Sequence, residues 1–190
     1  MRRVKKKPEV LRSSDSEVER SSNSVKIMAK QPMSGLPVTL FSDEEFMLAA
    51  LSEAKAAQTA GEVPVGAVVV LNGEIIARGG NCNLRDCDPT AHAELVALRA
   101  GGKALKNHRL NECSLFVTIE PCAMCAGAIV QARLKRLVYG APDPKAGGVK
   151  SVVQVVNHPA LNHQMEVVSG VLGEECTAIL QEFFRKRRQE

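Results

Sequence analysis

The chain has 190 residues, of which 45% are hydrophobic and 24% are charged. This length suits one ordinary domain with a buried core, and no apolar run approaches the roughly 20 residues that a membrane-spanning helix needs. The formal net charge of +4 is unevenly distributed, because residues 1–40 hold nine Lys or Arg against four Asp or Glu. The remainder is close to neutral, so the overall charge does not argue for nucleic-acid binding by the folded part.

Residues 1–40 are rich in Ser, Lys and Arg, which predicts a disordered or weakly ordered basic extension. A solvated tail and an arm that contacts RNA both fit this composition. No apolar segment follows the basic start, as a secretory signal would require. We therefore expect a cytoplasmic protein whose six cysteines are free thiols, with a single domain over residues 41–190.

The domain opens with a predicted helix and a predicted hairpin. Ser42 and Glu45 fit a capping box at the start of a helix over residues 42–61. Two apolar segments within residues 63–79 are joined by Asn72-Gly73, the dipeptide typical of a two-residue hairpin turn. The hairpin indicates that part of the sheet is antiparallel.

Helices and strands then alternate to the end of the chain. A second helix is predicted over "AHAELVALRAGG", with Asp88 as its N-cap, Pro89 in its first turn and Gly101-Gly102 as its stop. The later segments are the strand "SLFVTI", the helix "CAMCAGAIVQAR", the strands "RLVYG" and "MEVVSG", and the helix "EECTAILQEFFRKRR". This order predicts a three-layer α/β/α domain around a mixed sheet of about five strands.

Two short sequences, "DPTAHAE" and "EPCAMC", carry the chemistry. By itself the Cys122/Cys125 pair is typical of either a redox dithiol or half of a zinc site. His92 lies upstream at the start of another predicted helix, and such helix starts gather at one edge of the sheet. One imidazole and two thiolates give Zn²⁺ three protein ligands and leave the fourth position to water. The combination favours zinc.

Glu94 follows His92 by two residues. At a helix start, side chains lean beyond the helix end, so Glu94 can approach a metal-bound water without binding the metal. A carboxylate there can take the water's proton and pass it to a leaving nitrogen. Glu94 is the predicted catalytic acid–base.

These sequences resemble the signature of the zinc-dependent cytidine/deoxycytidylate deaminase superfamily. Residues 42–190 resemble its bacterial-type tRNA adenosine deaminases, through "VPVGAVVV", "ALRAGG", "NHRL" and "FFRKRRQE" as well as the two metal-site sequences. The resemblance implies a cytidine-deaminase-like fold, one Zn²⁺ per subunit held by His92, Cys122 and Cys125, and a homodimer. It also implies hydrolysis of the wobble adenosine of a tRNA anticodon to inosine. A zinc-dependent deaminase of a free nucleobase or nucleoside is the alternative.

The resemblance also implies contacts to the tRNA anticodon loop. The residues at matching positions are Asn81, Asp143, Lys145, His158, Asn162, Phe184 and Arg188. Each has a plainer interpretation, such as a turn residue or, for the C-terminal segment, a charged helix end. Cys82 and Cys87 are interpreted as ordinary thiols and Cys113 and Cys176 as core residues. The chain departs from the family at Lys150, where a glycine is usual.

Overall fold

The computed structural model describes residues 42–189. The prediction of a disordered or weakly ordered basic extension over residues 1–40 lies outside this range and stays a prediction, as does the single domain over 41–190. Within the described range no helix is long and apolar enough to cross a membrane.

The described elements form a five-stranded mixed sheet between two layers of helices, as the sequence predicts. The strands are β1 (Gly66–Leu71), β2 (Glu74–Gly80), β3 (Ser114–Ile119), β4 (Arg136–Ala141) and β5 (Glu166–Ser169). The helices are α1 (Asp43–Thr59), α2 (Asn83–Asp86), α3 (Ala93–Leu105), α4 (Ala123–Ala132) and α5 (Gly173–Arg187). The strand order is β2-β1-β3-β4-β5, and the sheet is antiparallel from β2 to β3 and parallel from β3 to β5.

Side chains alternate between the two faces of the sheet along each strand, which creates a separate apolar core on each face. In β3, Leu115 and Val117 pack on one side with α3 and α4, whereas Phe116 packs on the other with α1 and α5. This is the period of two that strands impose, with both faces covered as in α/β proteins. The buried strands hold the helix starts in fixed positions.

The strand directions bring four chain segments to one edge of the sheet. Residues that follow β2, β3 and β4 meet there, and so do those that precede the antiparallel β1, since Gly66 is opposite Gly80 and Ile119 is opposite Ala141. Gly79 permits a close approach at this edge, because an added Cβ would lie 2.6 Å from the Ala93 carbonyl oxygen. Helix α3 therefore starts directly against β2.

The predicted limits of α1 and of the hairpin are confirmed. Ser42 caps α1 with the full capping box to Glu45. Asn72 and Gly73 form the turn with φ values of 52° and 81°. Both features are local, so the sequence contains the information that determines them.

The predicted limits of the second helix are wrong at both ends. Asp88 does not cap α3, because its carboxylate accepts the Thr90 N–H and hydroxyl in a turn of its own. The helix begins at Ala93 and runs past Gly101 to Leu105. Gly101 is buried against Val69 and Leu110, so tertiary packing overrides its low helix propensity.

Candidate active site

The three predicted metal ligands converge at the sheet edge. His92 is the N-cap residue of α3, Cys122 is the N-cap residue of α4, and Cys125 lies one turn into α4. The ligand atoms of the three residues lie within 4.8 Å of one another. Among residues 42–189 no other group of His, Cys, Asp and Glu side chains meets the same criterion. The structure thus brings together a set of donors whose chemistry suits zinc.

The pKa shifts of the two thiols follow from short contacts among the three predicted ligands. The His92 Nδ1 atom lies 3.7 Å from the Cys122 Sγ atom and 3.5 Å from the Cys125 Sγ atom. Hydrogen bonds from Cys125 and then from His92 lower the pKa of the Cys122 thiol to about 3. The pKa of Cys125 is raised, because its thiol donates to Cys122 and because it is buried. These contacts favour the thiolate form of Cys122, the form that binds metals.

Glu94 lies two residues after His92 in the chain, and it is only 2% exposed. Burial raises the pKa of Glu94, and the nearby His92 partly opposes that shift. A carboxylate whose pKa is raised takes up a proton more readily than an ordinary glutamate. This environment is the one expected for an acid–base catalyst.

His92, Cys122 and Glu94 line a cavity of about 500 Å³. Val63, Val65 and Ile119 supply apolar wall, and α5 closes one side with Leu180, Phe184 and Arg187. A volume of this order, apolar walls and a few convergent polar groups characterise small-molecule and nucleoside sites.

Four of the seven predicted RNA contacts line this cavity: Asn81, Asp143, Lys145 and Phe184. Arg188 lines an adjoining groove with Phe184 and Lys145. His158 and Asn162 line neither space and are exposed in the long connection between β4 and β5. The structure therefore brings five of the seven residues to the cavity and its adjoining groove. The role of each in binding remains a prediction.

Two of these residues also have structural partners. The Asn81 Oδ1 atom accepts the Ala93 N–H at 2.9 Å, and so it caps α3 in place of the His92 side chain. The Asp143 Oδ1 atom accepts the Lys145 and Ala146 N–H groups in a turn. The plainer interpretation of Asp143 as a turn residue thus describes its side chain, although the residue also lines the cavity.

The two adjacent phenylalanines of α5 contact each other edge to face, with ring centroids 5.4 Å apart, but differ in exposure. Phe183 is buried, whereas Phe184 is 44% exposed at the cavity. The Arg187 guanidinium lies 5.2 Å from the Phe183 ring centroid and donates to the Gly61 carbonyl at 3.4 Å. The sequence placed Arg187 only among the basic residues of the charged helix end, although its position one turn after Phe183 was a usable signal.

Sequence reasoning also overlooked two buried carboxylates at the cavity, Glu62 and Glu120. Glu62 accepts the N–H groups of Leu84 and Arg85 and so holds the start of α2 at the rim. Glu120 accepts several donors from the loop that follows β4. For Glu120 the only sequence signal was its place two residues before Cys122. For Glu62 no local pattern indicated a buried carboxylate at the cavity.

The remaining cysteines lie apart from the ligand set. Cys113 and Cys176 are buried in the two cores, as expected. Cys82 is buried near the Ala91 carbonyl oxygen and Cys87 is exposed. Neither belongs to the group that could hold a metal ion.

A family model for MafB19-like deaminases matches residues 41–188. The chain belongs to this deaminase family. Two curated relatives are tRNA-specific adenosine deaminases: that of Haemophilus influenzae is 50% identical over 78% of this chain and 86% of its own length, and that of Bacillus subtilis is 48% identical over 78% and 92%. The resemblance inferred from the sequence is confirmed.

Solved structures agree with the fold of this deaminase. A structure from a study of A-to-I editing by tRNA:A34 deaminases at the wobble position of tRNA is 48% identical, with a TM-score of 0.69 over 71% of this chain and 98% of its own. A guanine deaminase from Nitrosomonas europaea is 25% identical, with a TM-score of 0.67 over 78% and 93%. The expected cytidine-deaminase-like sandwich is confirmed.

Proposed function

We propose that this chain hydrolyses adenosine to inosine at the wobble position of a tRNA anticodon. The observation that carries the proposal is a single cavity that joins the ligand set and Glu94 to an exposed aromatic and basic rim. Relatives that are 48–50% identical are tRNA-specific adenosine deaminases, whereas the guanine deaminase is far less similar.

His92, Cys122 and Cys125 would hold one Zn²⁺ ion. One nitrogen and two sulfur ligands around a common point fit a catalytic zinc site, which keeps its fourth position open. When bound, the metal supplies Lewis-acid activation of a water molecule, whose pKa falls to roughly 7. The ligand side chains project from two helix starts that buried strands hold in place, so the site forms with the fold.

Glu94 would move the protons of the reaction. It would accept one proton of the attacking water and deliver it to the ring nitrogen. It would then take the second proton, from the hydroxyl now on the ring carbon, and deliver it to the departing amine, so that adenosine and water give inosine and ammonia. Its burial at the cavity keeps bulk water from competing for the proton. Asn81 would help to orient the base through its Nδ2 group, since its Oδ1 atom is already used by Ala93.

The rim would hold the nucleotides around the target base. An adenine in a duplex cannot reach the bottom of such a cavity, so the base must be splayed from a single-stranded loop. Phe184 offers an exposed aromatic face for stacking, and Arg188 and Lys145 offer charge to the phosphates. We include His158 and Asn162 as contacts to the outer part of the anticodon loop, because they lie outside the cavity.

We further propose that the protein is a cytoplasmic homodimer. Met124, Val152 and Val153 are exposed apolar side chains on α4 and on the loop that packs against its start, and a second subunit would cover such a surface. The six free cysteines suit a reducing compartment. Light scattering at micromolar concentration tests the dimer.

The deciding experiment compares substrates. We expect the zinc-loaded protein to convert the adenosine of an anticodon stem-loop with a wobble adenosine to inosine, and to leave adenine, guanine, cytosine and cytidine unchanged. The same stem-loop with guanosine at the wobble position is the matched control. Turnover of a free base without inosine in the stem-loop would refute the proposal and favour the free-base alternative.

A further inference from the structure

We propose that Glu120 is a positioning residue that holds the loop over residues 143–151 in the shape that receives the anticodon loop. The inference rests on the proposed function and goes beyond it, because Glu120 is neither a ligand nor an acid–base group. It is buried to 1% exposure at the end of β3, two residues before Cys122. Its carboxylate faces the loop.

The carboxylate accepts five hydrogen bonds, all from this loop. One oxygen accepts the N–H groups of Val149, Lys150 and Ser151, at 3.2, 2.7 and 2.9 Å. The other accepts the Asp143 N–H at 3.1 Å and the Ser151 hydroxyl. A single carboxylate thus holds both ends of the loop.

The loop is also packed tightly against the ligand-bearing turn. The Gly148 N–H donates to the Pro121 carbonyl at 2.7 Å, and Gly147 forms a bridge with Cys122. A Cβ added at Gly147 would lie 2.5 Å from the carboxyl carbon of Glu120, so the loop has no room for a side chain there. The position of the loop is therefore set relative to the metal ligands.

The hydrogen bond from the Asp143 N–H to Glu120 connects the fixed part of the loop to the cavity. Asp143 begins the turn that presents Lys145, and both residues line the cavity. Lys150 contributes only its backbone to the carboxylate and has no left-handed φ, so the lysine is accommodated where the family usually has glycine. Releasing the Glu120 contacts would free Lys145 to move while leaving the ligands and Glu94 in place.

The test uses Glu120→Gln in the zinc-loaded protein. Glutamine keeps the size of the side chain but turns one acceptor into a donor, which then faces the Asp143 N–H. We expect the KM for the stem-loop to rise about tenfold, the size of effect that follows from losing one hydrogen bond to a charged acceptor. We expect kcat to stay within about twofold, because positioning affects binding of the remote loop and not the chemical step. Zinc should remain near one per chain.

Limited trypsin digestion supplies a readout that does not depend on activity. Lys145 and Lys150 are already exposed, but a backbone held by Glu120 resists entry into a protease site. Release of the loop should loosen that backbone, so we expect faster cleavage after these residues in Glu120→Gln than in the wild type. Ser151→Ala removes one of the five donors and should shift KM and cleavage in the same direction by a smaller amount. Gln154→Ala, at an exposed residue in the same connection, is the matched control and should change neither.

The outcomes separate this inference from the proposed function. Unchanged cleavage in Glu120→Gln would overturn the anchoring role, and so would a loss of kcat at unchanged KM, which indicates only a destabilised fold. If Glu120→Gln is recovered unfolded, Ser151→Ala decides, because an unchanged KM there refutes positioning. A wild-type protein that leaves the stem-loop unedited would refute the proposed function, whereas the cleavage rates would still show whether Glu120 anchors the loop.

Discussion

Replacing Glu94 with glutamine tests the acid–base assignment most directly. Glutamine has nearly the same shape, so it fits a position where only 2% of the residue is exposed. Its amide cannot take up the proton of a water molecule at neutral pH. We therefore expect Glu94→Gln to fold and to bind zinc, since Glu94 is not among the three ligand residues, and to lose deamination.

The expected size of the loss follows from the other carboxylates at the cavity. Glu62 and Glu120 are each held by backbone N–H groups, and the Asp143 side chain closes its own turn. None of them can replace Glu94 as the proton carrier, so the full contribution of a general acid–base should disappear. That contribution is about 10²- to 10⁴-fold in rate, or roughly 3–5 kcal/mol on the barrier.

The assay is single-turnover conversion of the stem-loop by Glu94→Gln and by the wild type, with zinc measured in both preparations. Single turnover isolates the chemical step from product release. A rate within about tenfold of the wild type at full zinc occupancy would refute the assignment, because it lies below the range for general acid–base catalysis. Zinc loss in the variant would instead make Glu94 part of the metal site.

Three further predictions concern the rim, the fold and the metal. Phe184→Ala should weaken stem-loop binding by about 1–3 kcal/mol, the value of one base–aromatic stack. His158→Ala should weaken binding by less, because His158 lies outside the cavity. Titration with a fluorescent stem-loop compares the two variants. Gly79→Ala should lower the free energy of unfolding, measured by urea denaturation, by about 1–3 kcal/mol, because the added Cβ would meet the α3 backbone. In Gly127→Ala the added Cβ meets nothing within 4 Å, so the free energy of unfolding should change by at most about 1 kcal/mol. Cys122→Ala should lose zinc and activity together and show no further drop in melting temperature on chelation, whereas the wild type should show one; a chelator-insensitive wild type would contradict the zinc assignment.

The sequence was sufficient wherever structure depends on neighbouring residues. The Ser42 capping box, the Asn72-Gly73 turn and strand Ser114–Ile119 need only local chemistry, and all three are confirmed. The convergence of His92, Cys122 and Cys125 was also predictable, because each follows a strand and strand ends meet at one edge.

The start of α3 and the role of Glu120 could not be predicted in this way. Asp88 has the features of an N-cap, yet the cap of α3 comes from Asn81, twelve residues before Ala93. The partners of Glu120 lie 23–31 residues further along the chain and are mostly backbone N–H groups, which have no sequence signature. Both features depend on tertiary proximity.

The position of Asn81 has a consequence for mutational scanning of this chain. The Asn81 side chain contributes both to stability and to activity. Its oxygen caps α3, and its nitrogen binds the substrate in the proposed mechanism. Most substitutions at Asn81 would therefore lower both the abundance and the activity of the protein. Scores for abundance and for activity would then give the same result at this position. Aspartate is the informative exception, because it keeps a capping oxygen and discards the donor. A library scored for both properties should place Asn81→Asp alone in the class of abundant, inactive variants.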